Sequence, residues 1–511
     1  MPGFHVEHFG CRAARADGEA VSDRLRAAGH CMQQATEADV VIVNTCSVTA
    51  EADRAARAFI RRAHRLNPEA RIVVTGCYAQ RAPEELAGMA GVAAVVGNSH
   101  KALAPEIVLG LARDGTLDRA GVGPVAPQEL VSVQSILAGS ARNSAQIWVD
   151  DRFAHSFLEE AQVVPGAQTR PNLKIQEGCG NRCSFCVIPQ TRGSSRSLPA
   201  ASILRQVEGF VAAGGNELVL SGINLGRWGR DLAGSLDGRG SVRALGFPTL
   251  ATEKSRKDGA RGFMEHPLLA GLTLAGLVRR ILERTGLPRL RLSSIEPMDW
   301  DAELIGLMAE FGSPQAGGAR LARHAHLPLQ SGSDAVLRRM HRRYRPWHYA
   351  EKVEALVRAA GPELTLGADV MAGFPGETDA EFEETLELVR ALPFGYLHLF
   401  PFSPRPGTRG WTLYAEAPVP AAVVEERMAV LRTLAAEKSK THRRCFVGRE
   451  LEAITLHTPA AEAAAGRTLA LTENFLPVEL AGQLSANRLV RVRVGGLNAE
   501  GTLEAACSNP A

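Results

Sequence analysis

Short β-branched runs alternate with longer helical patterns through the first hundred residues. Val40-Val-Ile-Val43 leads into Asn44-Thr-Cys46 and then an Ala/Arg helix pattern from Ala50 to Arg65. Arg71-Ile-Val-Val-Thr75 ends at Gly76-Cys77 and precedes Pro83-Glu-Glu-Leu86, a helix opening; Val92 to Val96 ends in Gly97-Asn98. Glu7 to Gly10 reads as a first strand running into Cys11. Buried strands joined by helices of this length predict a parallel sheet with right-handed crossovers. Ligands of such sheets sit beyond the carboxyl ends of the strands. Cys11, Cys46 and Cys77 all fall at that edge.

The pattern is lost from about Ala120 to Gln146 in Gly, Pro, Ser and Gln, so 120–168 reads as a linker or insertion. Strand and helix signals resume at Asn172-Leu-Lys-Ile-Gln176. They continue through Glu217-Leu-Val-Leu220, Arg289-Leu-Arg-Leu292, His324-Ala-His-Leu327, Thr365 to Val370 and Tyr396 to Phe400, with helices such as Ala200 to Ala213 and Trp347 to Ala360 between them. That order predicts an open or closed β/α barrel over 169–444. Residues 233–266, rich in Gly, Arg, Lys and Ser, break the rhythm as an insertion. Ala421 to Arg444 is one long helix pattern. After it, Glu450 to Thr455, Thr468 to Leu471, Leu489 to Val494 and Glu500 to Glu504 are short strands, predicting a small β-barrel over 445–511. The fold class is α/β, with an N-terminal parallel domain over 1–119, a central barrel and a C-terminal β-barrel.

Composition changes this picture little. The 511 residues fit about three domains. A formal net charge of +3 excludes a histone-like polycation and leaves room for a local basic face. Seven of the 58 basic residues are Lys and 51 are Arg, a bias that GC-rich coding would also write. The start lacks a cationic segment followed by an apolar core, and no apolar stretch is long enough to cross a bilayer. A cytoplasmic protein with no membrane partner is therefore expected, and closely spaced cysteines then point to metal rather than disulfides.

Gly178-Cys179-Gly-Asn-Arg-Cys183-Ser-Phe-Cys186 has the spacing C-x3-C-x2-C. Three thiolates so close can hold three corners of an iron–sulfur cube and leave the fourth iron open. The alternative is a zinc knuckle that borrows a distant ligand. The loop, with Phe185 before its last cysteine, resembles the signature of the radical S-adenosylmethionine enzymes. The resemblance implies a [4Fe-4S] cluster whose open iron chelates S-adenosylmethionine and cleaves it to a 5′-deoxyadenosyl radical. Ser221 to Leu225, Ser294 to Pro297, Pro328 to Ser333 and Gly367 to Thr378 match that family more loosely. Through them Asn224, Glu296, Gln330 and Asp369 become candidate S-adenosylmethionine contacts, with loop stabilisation as the plainer role.

Phe9-Gly-Cys11, Asn44-Thr-Cys46-Ser-Val-Thr49 and Val74-Thr-Gly-Cys77, placed before this loop and a terminal barrel, resemble the methylthiotransferases. The resemblance implies a second, auxiliary [4Fe-4S] cluster on Cys11, Cys46 and Cys77, a C-terminal TRAM domain, and an enzyme of the sulfur-group transferase class. Asn44 to Ala52, Arg192 to Leu198, Leu292 to Pro297 and Asn474 to Leu480 are most similar to the branch acting on N6-threonylcarbamoyladenosine at position 37 of tRNA. Other branches act on isopentenyl-adenosine 37 or on an aspartate of a ribosomal protein, and a non-catalytic RNA-binding iron–sulfur protein is a further alternative. Ala14 departs from the family, which usually has Asn there. Cys31, Cys445 and Cys507 have no partner in the pattern and read as structural.

Arg491 and Arg493 share one face of a terminal strand by period two. Arg338 to Trp347, containing Arg342 and Arg345, interleaves cations with aromatics. Both suit phosphate contact and base stacking, or else are solvated charged faces. The expected partners are the tRNA anticodon loop and an electron donor such as flavodoxin or ferredoxin, with the chain acting as a monomer.

Overall fold

A computed structural model describes residues 2–114, 145–156, 169–233, 272–312 and 319–508. Apart from Ala233, the expected insertion at 233–266 lies outside the described residues, as does most of the stretch 120–168.

The first sheet contains β1 (Gly3–His8), β2 (Cys31–Met32), β3 (Val40–Thr45), β4 (Arg71–Gly76), β5 (Val92–Gly97) and β6 (Gln146–Trp148). They lie in the order β2-β1-β3-β4-β5-β6, all parallel. Successive residues of β3 serve opposite faces. Val40 and Ile42 pack with the helices Arg12–Ala27 and Ala104–Asp114; Val41 and Val43 pack with Ala50–Leu66 and the short helices after β4. That two-sided burial is why the strand reads as an unbroken apolar run. Two boundaries differ from the sequence reading. β1 ends at His8, so Cys11 caps the helix Arg12–Ala27 rather than ending a strand. β6 lies inside the stretch read as linker; three residues are too few to show a period.

The central unit holds β7 (Asn172–Glu177), β8 (Arg196–Ser197), β9 (Glu217–Gly222) and β10 (Arg289–Leu292) in the order β10-β9-β7-β8. A second sheet follows, β11 (His324–His326), β12 (Thr365–Ala372) and β13 (Phe394–Pro401). Among the described residues the two sheets share one isolated bridge, Leu290–Leu321, and no continuous ladder, so the barrel is open. Its outward face packs on the surrounding helices and makes the largest core of the chain.

The last unit is a closed barrel of β14 (Glu450–Thr455), β15 (Arg467–Thr472), β16 (Pro477–Ala481), β17 (Leu489–Leu497) and β18 (Leu503–Cys507). β16 was not anticipated. The final strand begins at Leu503, later than expected, because Asn498–Gly501 forms a turn with Gly501 at φ 78°.

This barrel docks on the amino ends of the central strands. Arg289 Nη2 donates to Glu452 Oε2 at 2.6 Å, Arg291 Nη2 to the Thr472 carbonyl at 3.2 Å, and Asn474 Nδ2 to the Glu363 carbonyl at 3.0 Å. Buried Glu217 anchors both arginines. Burial alone would raise its pKa, but Arg291, Arg170 and Arg289 together bring it to about 2. The carboxyl ends of the strands, where the cysteines lie, face the other way.

Candidate metal centres

Cys46 follows β3 and Cys77 follows β4, while Cys11 arrives from β1 through Gly10. Gly10 has φ 123°, and a Cβ there would stand 2.3 Å from the Cys46 Cβ, so only glycine lets the first cysteine reach the second. Burial, then the neighbouring Cys77 and Cys11, push the Cys46 thiol up to about 12. Several N–H donors point at these sulfurs. The Val48 amide lies 3.5 Å from Cys46 Sγ, Asn98 Nδ2 lies 3.3 Å and Arg192 Nε 3.2 Å from Cys77 Sγ.

The second triad lies on the loop after β7. Gly178, at φ 71°, brings this loop against the Ser194 carbonyl, 2.0 Å from where a Cβ would be. The Asn181 amide and Asn224 Nδ2 each lie 3.4 Å from Cys179 Sγ, and Arg342 Nη1 lies 3.4 Å from Cys183 Sγ. Burial and Cys183 push the Cys186 thiol up to about 12. All three cysteines line a cavity of about 430 Å³ that also takes in Arg182, His341 and Arg409.

Three consecutive residues join the two triads. The Thr191 carbonyl accepts from Asn98 Nδ2 at 2.9 Å, the Arg192 side chain donates to Cys77, and the Gly193 carbonyl accepts from the Cys179 amide at 3.0 Å. Around Arg192 the two domains bury Asp17, Lys101, Lys174 and Glu177. Lys101 Nζ reaches Asp17 at 2.7 Å and Glu177 at 3.1 Å; Arg192 Nη1 reaches Glu177 at 2.6 Å and Asp17 at 3.2 Å; Lys174 pairs with both acids. Burial disfavours the Glu177 charge, yet Arg192, Lys101 and Lys174 hold its carboxyl well below the usual range. Three cations on two carboxylates leave one positive charge in excess beside Cys77.

These surroundings fit iron–sulfur clusters. The thiols of Cys46 and Cys186, each pushed up to about 12, stay protonated unless a cationic metal replaces the proton. Amide and guanidinium N–H groups aimed at the sulfurs, with a cationic excess beside them, suit thiolates bound to iron.

Other predicted residues divide by position. Asn224 and Glu296 belong to the second triad, since Arg342 Nη2 also holds Glu296 Oε2 at 2.5 Å. Gln330 and Asp369 lie together on the barrel wall, where the Gln330 amide donates to the Asp369 carbonyl at 2.7 Å and Gln330 adopts φ 64°. Arg342 corrects the RNA expectation: it is 7% exposed and serves Cys183 and Glu296, out of reach of a phosphate backbone. Arg345 pairs with Asp334 at 3.1 Å. Arg491 and Arg493 are exposed on β17, with Val492 and Val494 buried on its other face. Ala14 is buried, and its carbonyl takes the Asn44 amide. Cys31 and Cys445 are exposed and Cys507 half-buried.

The sequence reading passed over Arg192 and Asn98 as individual residues, though Asn98 sits at a third strand end beside the two that carry cysteines. Asp17, Lys101 and Lys174 gave no signal, because their charges meet only in the folded chain.

A family model described as uncharacterized protein family UPF0004 matches residues 3–97, and the Radical SAM superfamily model matches residues 259–389. The chain is 30% identical to the threonylcarbamoyladenosine tRNA methylthiotransferase MtaB of Aquifex aeolicus, over 96% of this chain and 99% of that one. It is also 30% identical to the Bacillus subtilis protein of the same name, over 96% and 93%. Against the tRNA-2-methylthio-N(6)-dimethylallyladenosine synthase of Cereibacter sphaeroides it is 32% identical over 87% and 85%. The radical S-adenosylmethionine methyltransferase TsrM of Kitasatospora setae shares its fold at TM-score 0.50 and 15% identity, covering 78% of this chain and 75% of that one.

Proposed function

Since the chain belongs to the radical S-adenosylmethionine methylthiotransferases, we propose that it converts N6-threonylcarbamoyladenosine at position 37 of tRNA to the 2-methylthio derivative. The observation that carries this reading is the pair of cysteine triads joined through Thr191, Arg192 and Gly193. Bound there, two [4Fe-4S] clusters and S-adenosylmethionine supply a carbon-centred radical on one side and the sulfur to be inserted on the other.

The chain's own residues bind and orient. Cys179, Cys183 and Cys186 hold the radical-generating cluster, and Cys11, Cys46 and Cys77 the auxiliary one. Asn224, Glu296 and Gln330, with Asp369 at the far edge, line the S-adenosylmethionine site. Arg342 fixes Glu296 beside Cys183, and Arg192 fixes the auxiliary triad against the loop of the other. Arg491 and Arg493 contact the RNA backbone. The working divisions are 1–119, with 145–156 rejoining that sheet, then 169–444 and 445–511. A flavodoxin or ferredoxin supplies the electron, and a single cytoplasmic chain carries out the reaction.

The test is mass spectrometry of products from anaerobically reconstituted enzyme and an anticodon stem-loop bearing the threonylcarbamoyl group. Wild type forms the methylthio nucleoside. Cys183→Ala loses 5′-deoxyadenosine formation, whereas Cys46→Ala retains it and loses sulfur insertion. Thiolation surviving in either variant sinks the assignment, and thiolation of isopentenyl-adenosine alone moves the protein to another branch.

A further inference from the structure

Three adjacent strands present polar side chains to the inside of the central barrel. By period two, His324 and His326 of β11, Gly367 and Asp369 of β12, and Tyr396 and His398 of β13 share one face. The alternate residues Ala325, Leu366, Ala368 and Val370 are buried in the apolar core on the outer face. A barrel of this kind is usually filled by branched apolar residues pointing inward. Here the inward set is imidazole, carboxylate and phenol.

Within the set, His324 Nε2 lies 2.8 Å from the Tyr396 hydroxyl, and the other two histidines meet at one oxygen. Asp369 Oδ1 lies 3.3 Å from His326 Nε2 and 3.3 Å from His398 Nδ1. Burial would raise the Asp369 pKa, but hydrogen bonds from both histidines hold its carboxyl well below the usual range. His398, 58% exposed at its side chain, leaves the Nε2 edge of its ring outside this contact. Phe475, reaching in from the terminal barrel, lies with its ring centroid 4.3 Å from that of His324, tilted by 33°.

The same wall runs up to both triads. His326 Nδ1 lies 2.9 Å from Ser294 Oγ, two residues before Glu296, which Arg342 ties to Cys183. Past the end of β13, Ser403 Oγ accepts from the Ala50 amide at 3.1 Å, close after Cys46. A base held between the triads can therefore extend its N6 substituent down this wall.

We infer that His398, oriented by Asp369 beside His326, is the subsite for the polar N6 substituent and determines the choice of substrate. The inference rests on the methylthiotransferase reading above and names the residues that select among its substrates. A threonylcarbamoyl group brings a hydroxyl, a carboxylate and urea N–H groups to pair with the imidazole and carboxylate. An isopentenyl group brings none, so the polar atoms it covers are left unpaired. A pocket built for hydrogen bonding rejects the apolar analogue more strongly than an apolar pocket rejects a polar one.

The test compares wild type, His398→Leu, His398→Gln and Asp369→Asn on anticodon stem-loops bearing either nucleoside. Initial rates give kcat and KM separately, and total iron and zinc per chain are measured for each protein. For the threonylcarbamoyl substrate, His398→Leu loses roughly 10- to 100-fold in kcat/KM, mainly through KM, and its preference over the isopentenyl substrate narrows. His398→Gln, which keeps a donor, recovers part of the loss, and Asp369→Asn shifts preference the same way as leucine. An unchanged substrate ratio in His398→Leu overturns the inference. So does an extra equivalent of zinc or iron that His398→Leu alone removes, since the two histidines and the carboxylate would then be metal ligands. Wild type that thiolates only the isopentenyl substrate defeats the parent reading before any variant is compared.

Discussion

Arg342 and Arg491 look alike along the chain, each an arginine in a basic stretch, and burial assigns them opposite work. Arg342 is enclosed, donates to Cys183 Sγ and holds Glu296 at 2.5 Å. Removing it leaves that carboxylate without its partner in a partly buried site, which costs several kcal/mol. Arg342→Ala should therefore lose iron from the second triad and most 5′-deoxyadenosine formation, read by iron analysis and chromatography. Arg491 and Arg493 are exposed, so replacing both with Ala should weaken tRNA binding. It should also flatten the slope of log affinity against log salt by about 1.4 to 1.8, because losing two phosphate contacts releases fewer counterions. An unchanged slope removes these residues from the interface. The interleaved aromatics and cations of 338–347 were visible in sequence, but the burial of Arg342 among them depends on distant residues.

Among elements, those with a strict period were legible before any coordinates. β3 to β5 are unbroken apolar runs, and the six cysteines stood out by strand-end position or by spacing. Short elements were not legible. β6 has three residues, and β16 opens on Pro477 at the edge of a turn. The helix Ala421–Arg444 carries a consequence that composition does not show. Its His442 is half-buried against β13 and bonded to Thr365 Oγ1 at 2.8 Å, and desolvation there with nearby Arg443 lowers its pKa to about 4. The folded state thus binds this proton less readily than the unfolded chain. Its contribution is fully present above about pH 6.5 and is lost as pH falls toward 4. Between pH 7 and 5 wild type should lose about 2 kcal/mol from this group alone. His442→Gln should lack that part of the decline, as urea midpoints across the range would reveal.

At the scale of the whole molecule, the units are joined by charge as well as by apolar contact. Asp17, Lys101, Lys174, Glu177 and Arg192 are buried where the first domain meets the central barrel. Glu217, Arg289, Arg291, Arg323 and Glu473 are buried where the terminal barrel meets it. Breaking a buried ion pair from one side leaves charge uncompensated, so Asp17→Asn should destabilise the protein by about 3–5 kcal/mol. The Asn variant should also disturb Arg192 and with it the auxiliary triad. A melting temperature equal to wild type would show that water reaches this cluster. None of these clusters could be seen in sequence, since their members lie up to 256 positions apart, as Glu217 and Glu473 do. The domain order was legible because strand–helix alternation breaks off near residue 120, resumes at Asn172 and gives way after Arg444 to short strands.

The central claim is that six cysteines build two separate open-cornered clusters beside one another. Iron analysis with Mössbauer spectroscopy on anaerobically reconstituted protein tests it most directly. Wild type should hold about eight irons per chain in two [4Fe-4S] environments, and Cys46→Ala and Cys183→Ala should each lose one environment while keeping the other. About four irons in wild type, or both environments lost together in either variant, would contradict it.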